Sequence, residues 1–265
     1  MIKHTFSVVD GVGERIERWL WKNGILTWED FDNVDSIPFF SKERKELIGK
    51  NLRYFSKGLE EGDWVIFSKK IKRKEHWRFF EEFKNDAVCI DIETNGQPID
   101  YGGYVTMVGL YDGNEYTCLI RGQNLSEESL AMALAPYKYL ITFYGAVFDI
   151  PFLQKTYPNL RFNMLHYDIY LESRRIGLRG GFKKFEKRQG ISRDDEVDGM
   201  DGYDAVRLWS MYQSGDDASL ATLIKYNRAD TVNLLEVAEY VYHQLKKATG
   251  IEVYLKRLEH LRPGI

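Results

Sequence analysis

Cysteine is almost missing from this 265-residue chain, which has only Cys89 and Cys118. Two thiols cannot make a disulfide framework or a cysteine-rich zinc site. Cys89, inside the apolar run A-V-C-I, reads as a small core residue. Charge of one sign is lacking as well: 37 Lys plus Arg stand against 40 Asp plus Glu, a formal net charge of -3. Any footprint for a polyanionic partner is therefore local. No apolar stretch approaches the ~18 residues that a membrane span needs. The N-terminus lacks the basic, apolar and small-residue order of a secretory signal. A soluble, cytoplasmic protein is expected. Internal repeats and low-complexity tracts are missing too.

What is present suffices for a packed core, with 44% hydrophobic and 14% aromatic residues. The length suits one domain plus a smaller appendage. The first 60 or so residues read as helical. Val12, Ile16, Trp19 and Leu20 share a helical face, Gly24 closes that helix, and Thr27 followed by Asp30 opens the next. A further helix covers at least 42–55. The basic run K-K-I-K-R-K (69–74) and the helical stretch E-H-W-R-F-F-E-E-F (75–83) connect to a main domain, with a boundary near Lys84. From Asp86 the period becomes that of strands: A-V-C-I-D-I-E-T, Y-V-T-M-V-G-L-Y and E-Y-T-C-L-I-R, an antiparallel meander with glycine-containing turns. Then follow a helix (126–135), a strand (139–144), a helix opening at Pro151 and a strand around 164–167. The remainder is mostly helical and ends in a long helix over about 219–245. Strands first in hairpins and then alternating with helices predict an α/β domain with a mixed sheet flanked by helices.

Acidic residues stand where burial would ordinarily forbid them. In the first strand Val88, Ile90 and Ile92 face one way, and Ala87, Cys89, Asp91 and Glu93 the other. Asp91 and Glu93 are then roughly 6–7 Å apart along the strand. Such a pair is unfavourable on a central strand without a cation, although a strand end meeting solvent before the Asn95-Gly96 turn would also accommodate it. In F-Y-G-A-V-F-D-I-P-F-L (143–153), Asp149 precedes Pro151 at a helix opening, which suits a helix cap or a ligand. On the long helix Leu223, Tyr226, Asp230, Leu234, Val237 and Val241 step by three and four along one stripe. Asp230 places a charge in that apolar stripe and needs a partner, an arginine or a metal. Asp168, in H-Y-D-I-Y, is open to three roles: a cap, a partner of Arg174 or Arg175, or support for the other acids.

Asp-x-Glu on a first strand, Phe-Asp entering a helix and Tyr-x-x-x-Asp in a C-terminal helix, in this order, resemble the motifs of the DEDD 3′→5′ exonucleases. Tyr226 four residues before Asp230 resembles their DEDDy branch. Over nearly the whole chain, the N-terminal D-G-V-G-E-R segment through W-E-D-F, then E-H-W-R-F-F-E-E-F, D-I-E-T-N-G, D-I-Y-L-E-S-R-R, G-G-F-K-K-F-E-K-R-Q-G-I and D-G-Y-D-A-V-R-L-W-S-M-Y are similar to the YprB-type RNase H-like family. The resemblance implies an RNase H-like exonuclease domain over 85–265, a connecting segment and helix over 61–84, and a smaller all-helical domain over 1–60. It implies hydrolysis of nucleic-acid phosphodiesters from single-stranded 3′ ends, DNA being favoured over RNA, with release of nucleoside 5′-monophosphates. It also implies two Mg2+ or Mn2+ ions, which suit an all-oxygen ligand set where Zn2+ would recruit histidine or cysteine. Asp91 would bridge both ions, Glu93 and Asp230 would complete one site and Asp149 the other, and Tyr226 would orient the attacking water. One departure is clear: where DEDD enzymes usually carry Asn a few residues before Phe-Asp, this chain has Tyr144.

Between Ser173 and Arg193 stand eight basic residues (Arg174, Arg175, Arg179, Lys183, Lys184, Lys187, Arg188 and Arg193) and one acid, Glu186. Lying between the second and third acidic motifs, they are expected to border the site and contact phosphates, with Gly180-Gly181 offering backbone N–H groups. A solvated helix face is the alternative. The N-terminal D-G-V-G-E-R resembles a helix-hairpin-helix, whose turn at Gly11 and Gly13 would present amides to a phosphate backbone or serve only in packing. Trp19, Trp21 and Trp28 read as core. Three rival functions stay open: an RNase H-like endonuclease or junction nuclease, a non-catalytic nucleic-acid-binding module, and an interaction protein using its aromatic N-terminal part.

Overall fold

Helix-start chemistry places the first elements. The computed structural model describes residues 1–261, so the end of the segment expected over 85–265 lies outside the described residues. Helix α1 (Glu14–Lys22) follows Gly13. Thr27 caps α2 (Trp28–Asp32): Asp30 N donates to the Thr27 hydroxyl, and Thr27 N donates back to the Asp30 carboxylate. Ser41 caps α3 (Lys42–Glu60) and Asp63 caps α4 (Trp64–Lys70). The stretch expected as a helix over 75–83 winds more tightly. It is a 3-10 helix, Arg73–Phe79, before the short α5 (Phe80–Phe83). The α1 face also differs from its apolar spacing. Glu17 is buried beside Leu20 and Trp21, because its carboxylate accepts from the Thr5 hydroxyl and from the amides of Phe6 and Ser7. Trp21 and Trp28 are core residues, and Trp19 is half-buried against Phe39.

The chain forms two compact units, Met1–Glu82 with residues from Tyr242 onward, and Phe83–Val241. In the second, β1 (Ala87–Thr94), β2 (Val105–Tyr111) and β3 (Tyr116–Ile120) make the expected meander. Next come α6 (Glu127–Leu134), β4 (Tyr139–Thr142), α7 (Asp149–Thr156) and β5 (Leu165–Asp168). They are followed by α8 (Ile169–Arg175), α9 (Phe182–Gln189), α10 (Gly202–Gln213), α11 (Asp217–Thr249) and α12 (Ile251–Leu261). The sheet order is β3-β2-β1-β4-β5, with β1, β4 and β5 parallel. Parallel neighbours need a crossover, and α7 supplies the one between β4 and β5.

Strand alternation sorts β1 as its sequence predicts. Val88, Ile90 and Ile92 enter a core with Val108, Leu130 and Leu140. On the opposite face Met107 and Ile120 of β2 and β3 pack with Trp209 of α10 and with Leu223 and Tyr226 of α11. Asp91 and Glu93 lie on this second face, under α11. Among the described residues no helix is long and apolar enough to cross a membrane.

Candidate metal centre

One missing side chain lets α11 approach β1. Asp91 pairs in register with Gly109 of β2. A Cβ at Gly109 would lie 2.0 Å from Asn227 Oδ1 and 2.4 Å from Thr231 Oγ1. With hydrogen there instead, fully buried Asn227 reaches both acids of β1. Its Nδ2 donates to Asp91 Oδ2 at 3.0 Å and to Glu93 Oε1 at 3.4 Å. Its Oδ1 accepts from the Tyr116 hydroxyl at 2.8 Å. Sequence reasoning missed Asn227. The signal was an amide one residue after Tyr226, on the side of the helix that turns to the sheet, where a buried polar group requires partners.

From the next turn of α11 Asp230 completes a cluster: ligand oxygens of Asp91, Glu93 and Asp230 lie within 4.8 Å of one another. Asp230 also has the arginine partner that its position demanded. Arg193 Nη2 donates to Asp230 Oδ1, while Nε and Nη2 hold the Glu186 carboxylate at 2.9–3.1 Å. Arg193, counted by sequence among the basic flank, is therefore an interior residue, its side chain 3% exposed.

The electrostatics are those of an under-compensated acidic site. Burial, reinforced by the Asp230 carboxylate, pushes Glu93 up to about 8. Asp91 is driven well above the usual carboxylate range by burial and then by Asp230, Glu93 and Asp149. Asp230 is raised by burial against the opposing pull of Arg193. Tyr226 hydrogen-bonds Asp230, and burial together with the neighbouring carboxylates raises its phenol, so the hydroxyl stays protonated. Oxygen donors alone, gathered and largely buried, suit a hard divalent cation such as Mg2+ or Mn2+.

Asp149 and Asp168 occupy different settings. β4 pairs with β1 only as far as Cys89, and beyond that point Asp149 Oδ1 accepts from Ile92 N at 3.2 Å. Asp149 is the first residue of α7 and not its cap. Burial lifts its carboxyl to about 7. It lies outside the three-acid cluster yet is close enough to raise Asp91 and Glu93. Asp168 caps α8 by accepting from Leu171 N. It also accepts from Tyr144 N at 3.1 Å and Ala146 N at 2.9 Å. Among the described residues Tyr144 is the one non-glycine with positive φ, 68°. Such a conformation persists only where surrounding bonds enforce it, and the Asp168 carboxylate supplies them.

Residues 88–242, more than half of the chain, match the RNase H superfamily. The chain belongs to that superfamily. No curated protein and no solved structure matches it. The matched segment begins in β1 and holds Asp91, Glu93, Asp149, Asp168 and Asp230. Membership implies a nucleic-acid substrate and its hydrolysis, and the cluster of Asp91, Glu93 and Asp230 is consistent with a divalent-metal site.

Two clefts open on the acids of this RNase H-superfamily chain. One, of about 890 Å3, reaches Asp91, Glu93, Phe148 and Tyr203. The other, of about 500 Å3, is lined by Asp91 and Asp230 together with Gly181, Lys183 and Lys184. Lys183 also stands over the Tyr226 ring, 5.6 Å from its centroid. Of the basic residues singled out by sequence, Arg193 thus pairs with Asp230, and Lys183 and Lys184 line the same cleft as Asp91 and Asp230. Arg174 donates to the Tyr170 hydroxyl, Arg175 to Glu172 and Arg188 to the Arg179 carbonyl. Lys187 is exposed on α9. Gly11 and Gly13 belong to the first unit, where Gly11 has φ 85° and its carbonyl accepts from Arg44 Nη2 at 2.8 Å.

Proposed function

We propose that the second unit is a Mg2+- or Mn2+-dependent 3′→5′ exonuclease of the DEDDy type, akin to the YprB family. It removes nucleoside 5′-monophosphates from single-stranded ends, DNA being preferred to RNA. The observation that carries this is the meeting of Asp91, Glu93 and Asp230 oxygens within 4.8 Å, with Tyr226 hydrogen-bonded to Asp230. Asp91, Glu93 and Asp230 would hold one ion, and Asp149 with Asp91 a second. Divalent ions bound there lower the pKa of water and offset charge on the phosphoryl oxygens.

The protein's own groups do the rest. Tyr226 keeps its proton, so it orients a water instead of acting as a base. Asn227 holds Asp91 and Glu93 at fixed positions. Lys183 and Lys184 neutralise backbone phosphates at the mouth of the smaller cleft. In the first unit the Gly11–Gly13 turn, with Arg44 beside it, is a helix-hairpin-helix-like contact for the phosphate backbone.

The test is digestion of 5′-labelled single- and double-stranded DNA and RNA with Mg2+, Mn2+ or EDTA. Metal-dependent laddering from the 3′ end of single strands is expected, abolished in Asp91→Ala and Asp230→Ala. Internal products of fixed size would instead make the enzyme an endonuclease. Normal Mg2+-dependent activity in both variants would overturn the assignment of the site.

A further inference from the structure

The two clefts that meet at the acids have opposite character. The smaller carries Lys183 and Lys184. The larger has no lysine or arginine among its described lining residues, but it carries two exposed aromatic rings, Phe148 at 44% and Tyr203 at 88% exposure. A nucleotide chain has an anionic backbone and flat, neutral bases. The backbone is favoured where the lysines are, which leaves the aromatic side for a base and its sugar. A volume of about 890 Å3 falls in the range of small-molecule sites, roughly 300–1,000 Å3.

Tyr203 is exposed without being loosely held. It is the second residue of α10, and Asp201, which lines both clefts, caps that helix. Asp201 Oδ1 accepts from Tyr203 N at 2.8 Å and from Asp204 N at 3.2 Å, and Asp201 N donates to Asp204 Oδ2. One turn further on, Val206 packs so closely on Gly96, just past β1, that a Cβ there would lie 2.9 Å from Val206 Cγ2. Trp209 then anchors α10 in the core beside Tyr226. The backbone under Tyr203 is thus fixed relative to Asp91 and Glu93, and its ring is left in solvent at the cleft edge. A lone exposed tyrosine needs no explanation. A rigidly mounted one, lining a cleft that has no lysine or arginine among its described residues and ends at the acids, has the form of a stacking platform.

We propose that Tyr203 stacks on the unpaired terminal nucleobase of the substrate, so that the larger cleft selects ends whose base is free of a complementary strand. This rests on the nuclease assignment above and adds the residue that distinguishes an unpaired end.

The experiment compares wild type, Tyr203→Ala and Tyr203→Trp on 5′-labelled single strands with either an ordinary or an abasic 3′-terminal nucleotide. Kd is measured with Ca2+ in place of Mg2+, and turnover with Mg2+ or Mn2+. Removing the base should weaken wild-type binding about tenfold, within the span known for base–aromatic stacking. Tyr203→Ala should raise Kd and KM by a similar factor with kcat within about twofold, and should lose the sensitivity to the base. Tyr203→Trp should keep both. Unchanged Kd and KM in Tyr203→Ala, or an equal abasic effect in wild type and variant, would overturn the proposal while leaving the nuclease assignment intact. Lack of metal-dependent cleavage by wild type on every substrate would defeat that assignment, and this proposal with it. The exposed position of Tyr203 means that unaltered thermal stability should accompany each variant.

Discussion

Arg193 joins Asp230 to Glu186 inside the protein, on the edge of the acidic cluster. Glu186 is buried and also accepts from Asn233 Nδ2 at 2.8 Å. The guanidinium carbon lies 5.9 Å from the Tyr226 ring centroid and 6.0 Å from that of Phe182. Arg193 is thus the compensating cation that allows Asp230 to sit on an otherwise apolar helix stripe.

Removing it should leave two acids uncompensated. Breaking a buried pair by deleting one partner costs about 3–5 kcal/mol, so Arg193→Ala should lower the melting temperature strongly. Arg193→Lys should be intermediate, because one ammonium cannot reproduce the fork that serves both carboxylates. Thermal denaturation with and without Mn2+ checks this. The Arg193→Ala loss should be partly recovered by the ion, which replaces the missing positive charge beside Asp230. Equal losses with and without Mn2+ would count against a compensating role.

Gly109→Ala should act at a distance from the chemistry. The added methyl would meet Asn227 Oδ1 and Thr231 Oγ1 well inside van der Waals contact, and both are polar atoms of a packed helix. The outcome is a displaced α11, hence a misplaced Asp230 and Tyr226. Overpacking of this kind costs about 1–3 kcal/mol. The expected result is a moderate loss of stability with a much larger loss of metal affinity, read by calorimetric titration with Mn2+.

Asn227→Ala should test the amide that ties the two strand acids together. It removes a buried donor and leaves the Tyr116 hydroxyl without its acceptor, a penalty of about 1–3 kcal/mol. Asn227→Asp adds another negative charge next to Asp91 and Glu93, so it should destabilise the metal-free protein more as pH rises. Melting temperatures of both variants across pH separate the two effects.

The pH dependence of the metal-free protein follows from raised carboxylates. Glu93 at about 8 and Asp149 at about 7 bind their protons more tightly than in an unfolded chain, where their ordinary values are 4.5 and 3.8. Their stabilising contribution is complete below the unfolded values and is lost as pH rises through the folded ones. Melting temperature in EDTA should therefore fall from about pH 4 to about pH 8. Saturating Mn2+ binds the deprotonated acids and should flatten that slope. A metal-free melting temperature that climbs over this window would contradict it.

Local patterns in the chain were enough for the elements and for most of the candidate acids. Period-2 alternation placed Val88, Ile90 and Ile92 in one core and Asp91 with Glu93 on the other face. The Thr27–Asp30 pair marked a helix start as a reciprocal cap. These features depend on neighbours a few residues apart, so they are written in the order of the residues. The burial of Glu17 was not, because the groups that its carboxylate accepts from lie 10–12 positions away, and the helical pattern of 75–83 did not mark the 3-10 winding of Arg73–Phe79.

Which side chains meet across the sheet required the folded molecule. Asn227 and Asp91 are 136 positions apart. Their contact depends on strand register and on the missing Cβ of Gly109. Arg193 looked like one more surface cation until burial joined it to Glu186 and Asp230. The positive φ of Tyr144, held by Asp168, is likewise enforced from 24 positions away. Composition and spacing specify a packed core and a set of acids in order. Only close packing of α11 on β1 and β2 decides that ligand oxygens of three of those acids come within 4.8 Å of one another, where their mutual repulsion makes a cation a natural further partner.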